Sequence, residues 1–265
     1  MRTLALVASV LVLSVGMGVG QELPEPRQLQ EALDDVGYAE LLKAAQLTDD
    51  QLSALHDLQL RLGMDAAVTP DLAAVLTKLL AAVLSGMSPQ EAQAALGDQQ
   101  QVLQQAQQRW QQSLKSCSDD LLKQLSAEQQ EALVWFGSPA HALDGAVGAV
   151  AQARGAPDAQ WNQFRQEASR AISDMASQAS PGAGATPEQI VQLLDAARAL
   201  DDATFEAQRP TLAHQWLPTV MPAISQRLQD PQFRQQQLAQ VCQHLLAYPR
   251  GPALVQAKQE AAPAQ

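Results

Sequence analysis

Aromatic residues are scarce in this chain: Phe, Trp and Tyr together make up 4% of its 265 residues. A core with so few rings must be closed by Leu, Ala, Val and Met, which suits closely packed helices better than a β-sandwich. Alternating β-branched runs are missing too, and no stretch reads as a strand. Bases are also short, with 17 Lys and Arg against 28 Asp and Glu and a net charge of −11. That balance argues against nucleic acid and anionic membrane surfaces as partners, and it tolerates basic or apolar ones.

The motifs of common chemistries are lacking as well. There is no HExxH, CxxC or CxxCH run, so neither a metal nor a redox cofactor is expected. Cys242 and His244 stand too close in sequence to share a helical face, and His56, His141 and His214 are scattered. No GxSxG elbow offers a nucleophile. The acid pairs Asp34-Asp35, Asp49-Asp50, Asp119-Asp120 and Asp201-Asp202 fall at helix starts or on solvated faces, where carboxylates are ordinary. The chain therefore reads as a binding protein and not an enzyme.

Long apolar runs are confined to the beginning. Arg2, the run Leu4–Val15 and the small residues Gly18 and Gly20 have the layout of a secretory signal peptide over residues 1–20. The run is too short to span a bilayer comfortably, and none later is longer. The expectation is an exported protein, periplasmic or extracellular, with no stable membrane span after cleavage; an uncleaved N-terminal anchor is the alternative. Without Arg2 the net charge of −11 becomes −12. Cys117 and Cys242 then meet an oxidising compartment. Two readings fit them equally: buried free thiols, or a disulfide tying the C-terminal helix to a long central one.

What the chain has in abundance is Leu, Ala and Gln at helical spacing. Leu103, Ala106, Trp110, Leu114, Cys117 and Leu121 lie three or four residues apart, one apolar stripe on a helix from about Gln99 to Gln124. Gly97 closes the preceding helix and Asp98 can cap this one. Most residues between are glutamines, good helix formers without charge. Their neutral face is either solvated or free to pack on another copy or a client. Shorter helices are expected before and after, for example with Leu52, Leu55, Leu58 or Gln59, and Leu62 inside. Others carry Leu72, Val75, Leu76, Leu79 and Val83, or Trp161, Phe164, Ala168, Ile172 and Met175. Breaks are expected near Gly37 and Gly63 and at Pro210, Pro218 and Pro222. The fold class expected is all-α, a bundle of short antiparallel helices around one long Gln-rich helix. Residues 21–176 would form an N-terminal helical domain, 177–186 a linker or loop, 187–258 a C-terminal helical region and 259–265 a tail, with fraying expected to begin already at about Val255.

Several helix starts repeat one device. Leu47-Thr48-Asp49-Asp50-Gln51 is an LTxxQ pentapeptide, Leu125-Ser126-Ala127-Glu128-Gln129 a close variant, and Ala185-Thr186-Pro187-Glu188-Gln189 a looser copy. Each is a capping box, Ser or Thr with Gln three residues on. With the leader and the helical chain, these motifs give a sequence that resembles the LTxxQ-motif periplasmic proteins of the Spy/CpxP type. That resemblance implies a helical protein of the bacterial envelope, possible homodimers shaped like a cradle, and binding of unfolding polypeptides without ATP. The partner expected is a polypeptide client or an envelope protein. The alternative is a structural or assembly component of the cell envelope that recognises one fixed partner. The surface expected to take the client or partner comprises Leu52, Leu55, Leu103, Trp110, Leu133 and Trp135.

Overall fold

The first turn of a helix leaves N–H groups without partners, and four starts here supply them in one way. At Thr48 the hydroxyl accepts the Gln51 N–H at 3.3 Å while Gln51 Oε1 accepts the Thr48 N–H at 2.9 Å. The same reciprocal pair forms between Ser88 and Glu91, Ser126 and Gln129, and Thr186 and Gln189.

The computed structural model describes residues 26–65, 70–94 and 96–261. The expected signal peptide, residues 1–20, lies outside them. The helices are α1 (Pro26–Ala44), α2 (Asp49–Asp65), α3 (Pro70–Leu84), α4 (Pro89–Ala94) and α5 (Gln100–Gln124). They continue as α6 (Ala127–Gly137), α7 (Ala142–Ala153), α8 (Asp158–Ala179), α9 (Pro187–Ala199), α10 (Asp202–Val220), α11 (Pro222–Arg227), α12 (Pro231–Ala247) and α13 (Gly251–Ala261). No strand occurs among the described residues, and the fold is all-α.

The division of the chain differs from the expected one. One compact unit comprises Glu131–Leu238 with the chain up to Leu33; the other comprises Asp34–Gln130 with Ala239–Gln265. Residues 177–186, expected as a linker or loop, are the last turn of α8 and a loop inside the first unit. Ser173 Oγ donates to the Ala185 carbonyl at 2.8 Å, and the Ala185 N–H reaches the Val220 carbonyl at 3.1 Å. At Gly184 any Cβ would stand 2.8 Å from the Ala176 backbone, so glycine here answers to close packing and not to flexibility.

In the first unit, α7, α8, α9 and α10 enclose Leu143, Val150, Trp161, Ile190, Leu194 and Phe205. Pro210 and Pro218 do not break α10, contrary to expectation. An interior proline removes one hydrogen bond and costs about 3 kcal/mol. Both prolines are exposed, as are Glu206 and His214, whose carbonyls they leave free for water. The opposite face buries Phe205, Leu212, Trp216 and Val220, which offsets the loss.

In the second unit, α5 packs on α2 and α3, and α13 packs on α2. A 3₁₀ turn at Gly97–Gln99 precedes α5, so Gln99 and not Asp98 holds its N-cap position. The long helix is less central than its stripe suggested. Cys117, Ser118 and Leu121 are buried, but Leu103, Ala106, Trp110 and Leu114 are only half-buried. Glycines 37 and 63 interrupt nothing, and α1 and α2 run through them. Val255 to Ala261 do not fray: α13 is helical to Ala261 and buries Val255 against the unit, while the rest of the expected tail lies outside the described residues.

What pins this C-terminal segment is polar. Tyr38 OH donates to the Leu245 carbonyl at 3.0 Å and accepts from Gln59 Nε2 at 2.8 Å, and Gln59 Nε2 also reaches Leu245 O at 2.8 Å. Tyr248 stacks on Tyr38 at 4.6 Å between ring centres and donates to Asp35 at 2.7 Å. Burial, with Asp35 close by, pushes the Tyr248 phenol up to about 12. A Cβ at Gly251 would overlap Gln59 Nε2 and lie 3.0 Å from Tyr38 OH. Gly251→Ala should therefore destabilise the protein by about 1–3 kcal/mol, measured as a lower denaturant midpoint, whereas Gly148→Ala, with open space around it, should not.

Candidate functional site

The two closest LTxxQ copies meet in the second unit. Gln51 Nε2 donates to Gln129 Oε1 at 3.0 Å, and Gln129 Nε2 donates back to Gln51 Oε1 at 2.8 Å. Each amide also caps the other's approach strand of loop: Gln51 Nε2 reaches the Gln124 carbonyl at 2.6 Å, and Gln129 Nε2 the Gln46 carbonyl at 3.0 Å. Both carbonyls lie two residues before the partner's cap, so the arrangement is a local pseudo-two-fold. Leu47 and Leu125, the first residues of the two pentapeptides, are buried. The four contacts explain why glutamine follows the cap by three residues. Glu could close a capping box but would bring no amide to donate across it. The third copy, at Thr186, keeps its capping box in the first unit without this cross-pairing.

The six residues expected to line a client surface do not share one face. Leu52 is 2% exposed and Leu55 and Leu133 are fully buried, so these three are core, not cradle. Their apolar side chains gain more from the interior of their own units than an open surface could give. Leu103 and Trp110 are half-buried on α5. Trp135 belongs to the other unit, where its indole N–H donates to Asp144 at 2.7 Å and its ring stacks on His214 at 3.7 Å. His141 shares the same carboxylate oxygen of Asp144 at 3.0 Å.

Cys117 and Cys242 are free and buried; they are not bonded to each other. Cys117 Sγ takes the Arg61 guanidinium at 3.2 and 3.4 Å, and Arg61 also binds Asp120 at 2.8 Å. Arg61 and Cys117, with Gln112, Ser113 and Ser116, line an open concavity of about 250 Å³. Burial alone pushes the Cys242 thiol up to about 12. Among the described residues no group of three or more His, Cys, Asp or Glu stands together as a metal site.

The apolar surface lies elsewhere, at residues the sequence reading did not single out as exposed. On α3, Leu80 is 59% and Leu84 77% exposed, and Leu76 is exposed on the same face. Met87 follows them, and Leu60 and Met64 are exposed on α2. The stripe Leu76, Leu80, Leu84 has a spacing of four, so it forms one row along the helix. Val75 is buried on the other side of α3, facing the unit. The signal was present in the sequence: α3 is apolar nearly all round, and a helix resting on one face of a small unit cannot hide every side.

Compared with family models, with curated proteins and with solved structures, the chain matches none.

Two measurements follow from these contacts. Gln51→Ala and Gln129→Ala should each cost about 1–2 kcal/mol. Their double mutant should cost less than the sum by about 0.5 kcal/mol or more, while Gln189→Ala paired with either should be additive. In denaturant without reductant, thiol titration should give two free cysteines per chain, with slow reaction in the native protein.

Proposed function

We propose that this protein binds other polypeptides through the exposed apolar face of α3, as an ATP-independent, chaperone-like factor of the cell envelope related to the LTxxQ-motif proteins. The observation that carries the reading is the row Leu76, Leu80 and Leu84, left open to solvent on a helix that buries Val75 on its other side. A large apolar row on a folded surface is costly to keep in water and marks a place where another apolar group belongs. Kinship to the LTxxQ family is supported by the paired capping boxes of Gln51 and Gln129.

The mechanism is burial without chemistry. Covering a leucine side chain is worth about 1.5–3 kcal/mol. Most of what three would give is consumed by lost translational freedom and by ordering the client. Binding is therefore weak and reversible, which suits a protein that must release its clients without an energy source. The open row imposes no polar pattern on the client, so it admits unrelated sequences.

In a light-scattering assay, the protein at near-equal molar ratio should suppress aggregation of a heat- or reductant-unfolded client without ATP. The variant Leu76→Gln/Leu80→Gln/Leu84→Gln should keep its helical circular dichroism and lose the suppression. No suppression with several unrelated clients, or equal suppression by the variant, would sink the reading.

A further inference from the structure

The outer half of α3 carries two rows with the same step. Leu76, Leu80 and Leu84 form one, Ala73, Thr77 and Ala81 the other, and all six are exposed. A step of four residues is a ridge direction of a helix, so a ridge of leucines runs beside a shallow row of small side chains. The helix rests on its unit through a narrower side, where Val75 is buried and Leu79 and Ala82 are half-buried.

Charge singles this surface out. The chain has 28 acids and a net charge of −11, so two copies repel wherever carboxylates meet. Of the exposed large hydrophobic residues, Val36 follows Asp34 and Asp35, Leu60 stands three residues after Asp57, and Met64 precedes Asp65. Leu76, Leu80 and Leu84 have no acid within four residues on either side. The one charge between Asp71 and Glu91 is Lys78, and it is turned to Gln99, whose Oε1 it reaches at 3.1 Å. Glu91 closes its own helix by accepting the Ser88 N–H at 2.9 Å.

We propose, building on the polypeptide-binding reading, that a second copy of this chain covers the α3 face when no client is bound. The surface is complementary to itself. A two-fold axis beside Leu80, the middle of its row, sets the leucine ridge of each copy into the small-residue row of the other. Four-step ridges on both helices cross at about −50° with axes about 8–10 Å apart, and Ala73, Thr77 and Ala81 leave room for that approach. A contact along one 15-residue helix falls below the roughly 1,200 Å² of a standard stable complex, so the dimer is weak and exchanges. The pair shields the leucines at rest, and a client displaces the second copy. Self-association and client binding therefore exclude one another.

The test is sedimentation velocity of the full chain at rising protein concentration. The unaltered protein should pass from monomer to dimer at on the order of 10–100 µM. Leu80→Glu and Leu80→Lys should each stay monomeric with unchanged helical circular dichroism, since Leu80 is 59% exposed. Leu84→Glu, at a position 77% exposed, should repeat the loss. Mixed in equal amounts, the two Leu80 variants should pair again, because a residue beside a two-fold axis meets its own copy. A reductant-unfolded client should convert the dimer to client-bound monomer. Monomer at every concentration overturns the proposal and, while clients are still held, leaves polypeptide binding standing. Dimer that survives the Leu80 variants, or a mixture that fails to pair, places the contact elsewhere and overturns it as well. A dimer that holds clients without dissociating overturns the exclusion and, with it, α3 as the client face.

Discussion

Two glutamine amides facing one another tie together the starts of α2 and α6. Each of Gln51 and Gln129 uses its oxygen to close its own helix and its nitrogen to close the other's loop. Net of water exchange, one such bond is worth about 1 kcal/mol, but neither helix can shift its register without breaking bonds at both. The long helix α5 leads into this junction through Gln124, and Leu47 and Leu125 anchor it from below. A unit built of small aliphatic side chains has few shape-specific contacts to fix its geometry. Reciprocal caps supply the specificity that packing alone leaves loose.

The few aromatic residues are used in the same spirit. Trp161 donates its indole N–H to Asp195 at 2.9 Å, and Arg165 holds that carboxylate at 2.6 Å. Arg198 lies over the Trp161 ring and caps the end of α7 through the Arg154 and Ala156 carbonyls. Arg154 covers Phe205 while donating to the Leu200 carbonyl. Each ring is a hydrophobic body with a directed partner, so each fixes an angle between helices as well as filling space. In the same unit Glu131 pairs with Arg234, which holds the Glu131 carboxyl below its usual range.

What the sequence made legible was local. The capping boxes at Thr48, Ser88, Ser126 and Thr186 were readable because donor and acceptor lie three residues apart. The amphipathic stripe of Trp161, Phe164, Ala168, Ile172 and Met175 was readable for the same reason, and the structure buries or half-buries all of it. What could not be read depended on partners distant in the chain. Gln59, buried in an aliphatic row, makes sense only once the Leu245 carbonyl is beside it. The continuity of α10 through Pro210 and Pro218 depends on the core gripping its other face. Leu52 and Leu55 fitted both the inside of their helix and a client surface, because an amphipathic pattern gives a helix's apolar side but not what covers it, and the structure buries both. For α3 the apolar set Leu72, Val75, Leu76, Leu79 and Val83 did not say which side would pack: Val75 is buried and Leu76 is exposed.

The second unit is assembled from two pieces of chain that more than a hundred residues separate. Its central hydrogen bond, Tyr38 to Leu245, joins residues 207 apart. During synthesis, α1 and α2 emerge long before α12 and α13 exist. Until then the groove that Leu245, Tyr248 and Val255 will fill stays open. The first unit is nearly continuous in sequence and has its contacts in hand earlier, so the order of folding follows the order of the ribosome's output. The chain thus passes through a stage in which the interior of its second unit waits for its last helices.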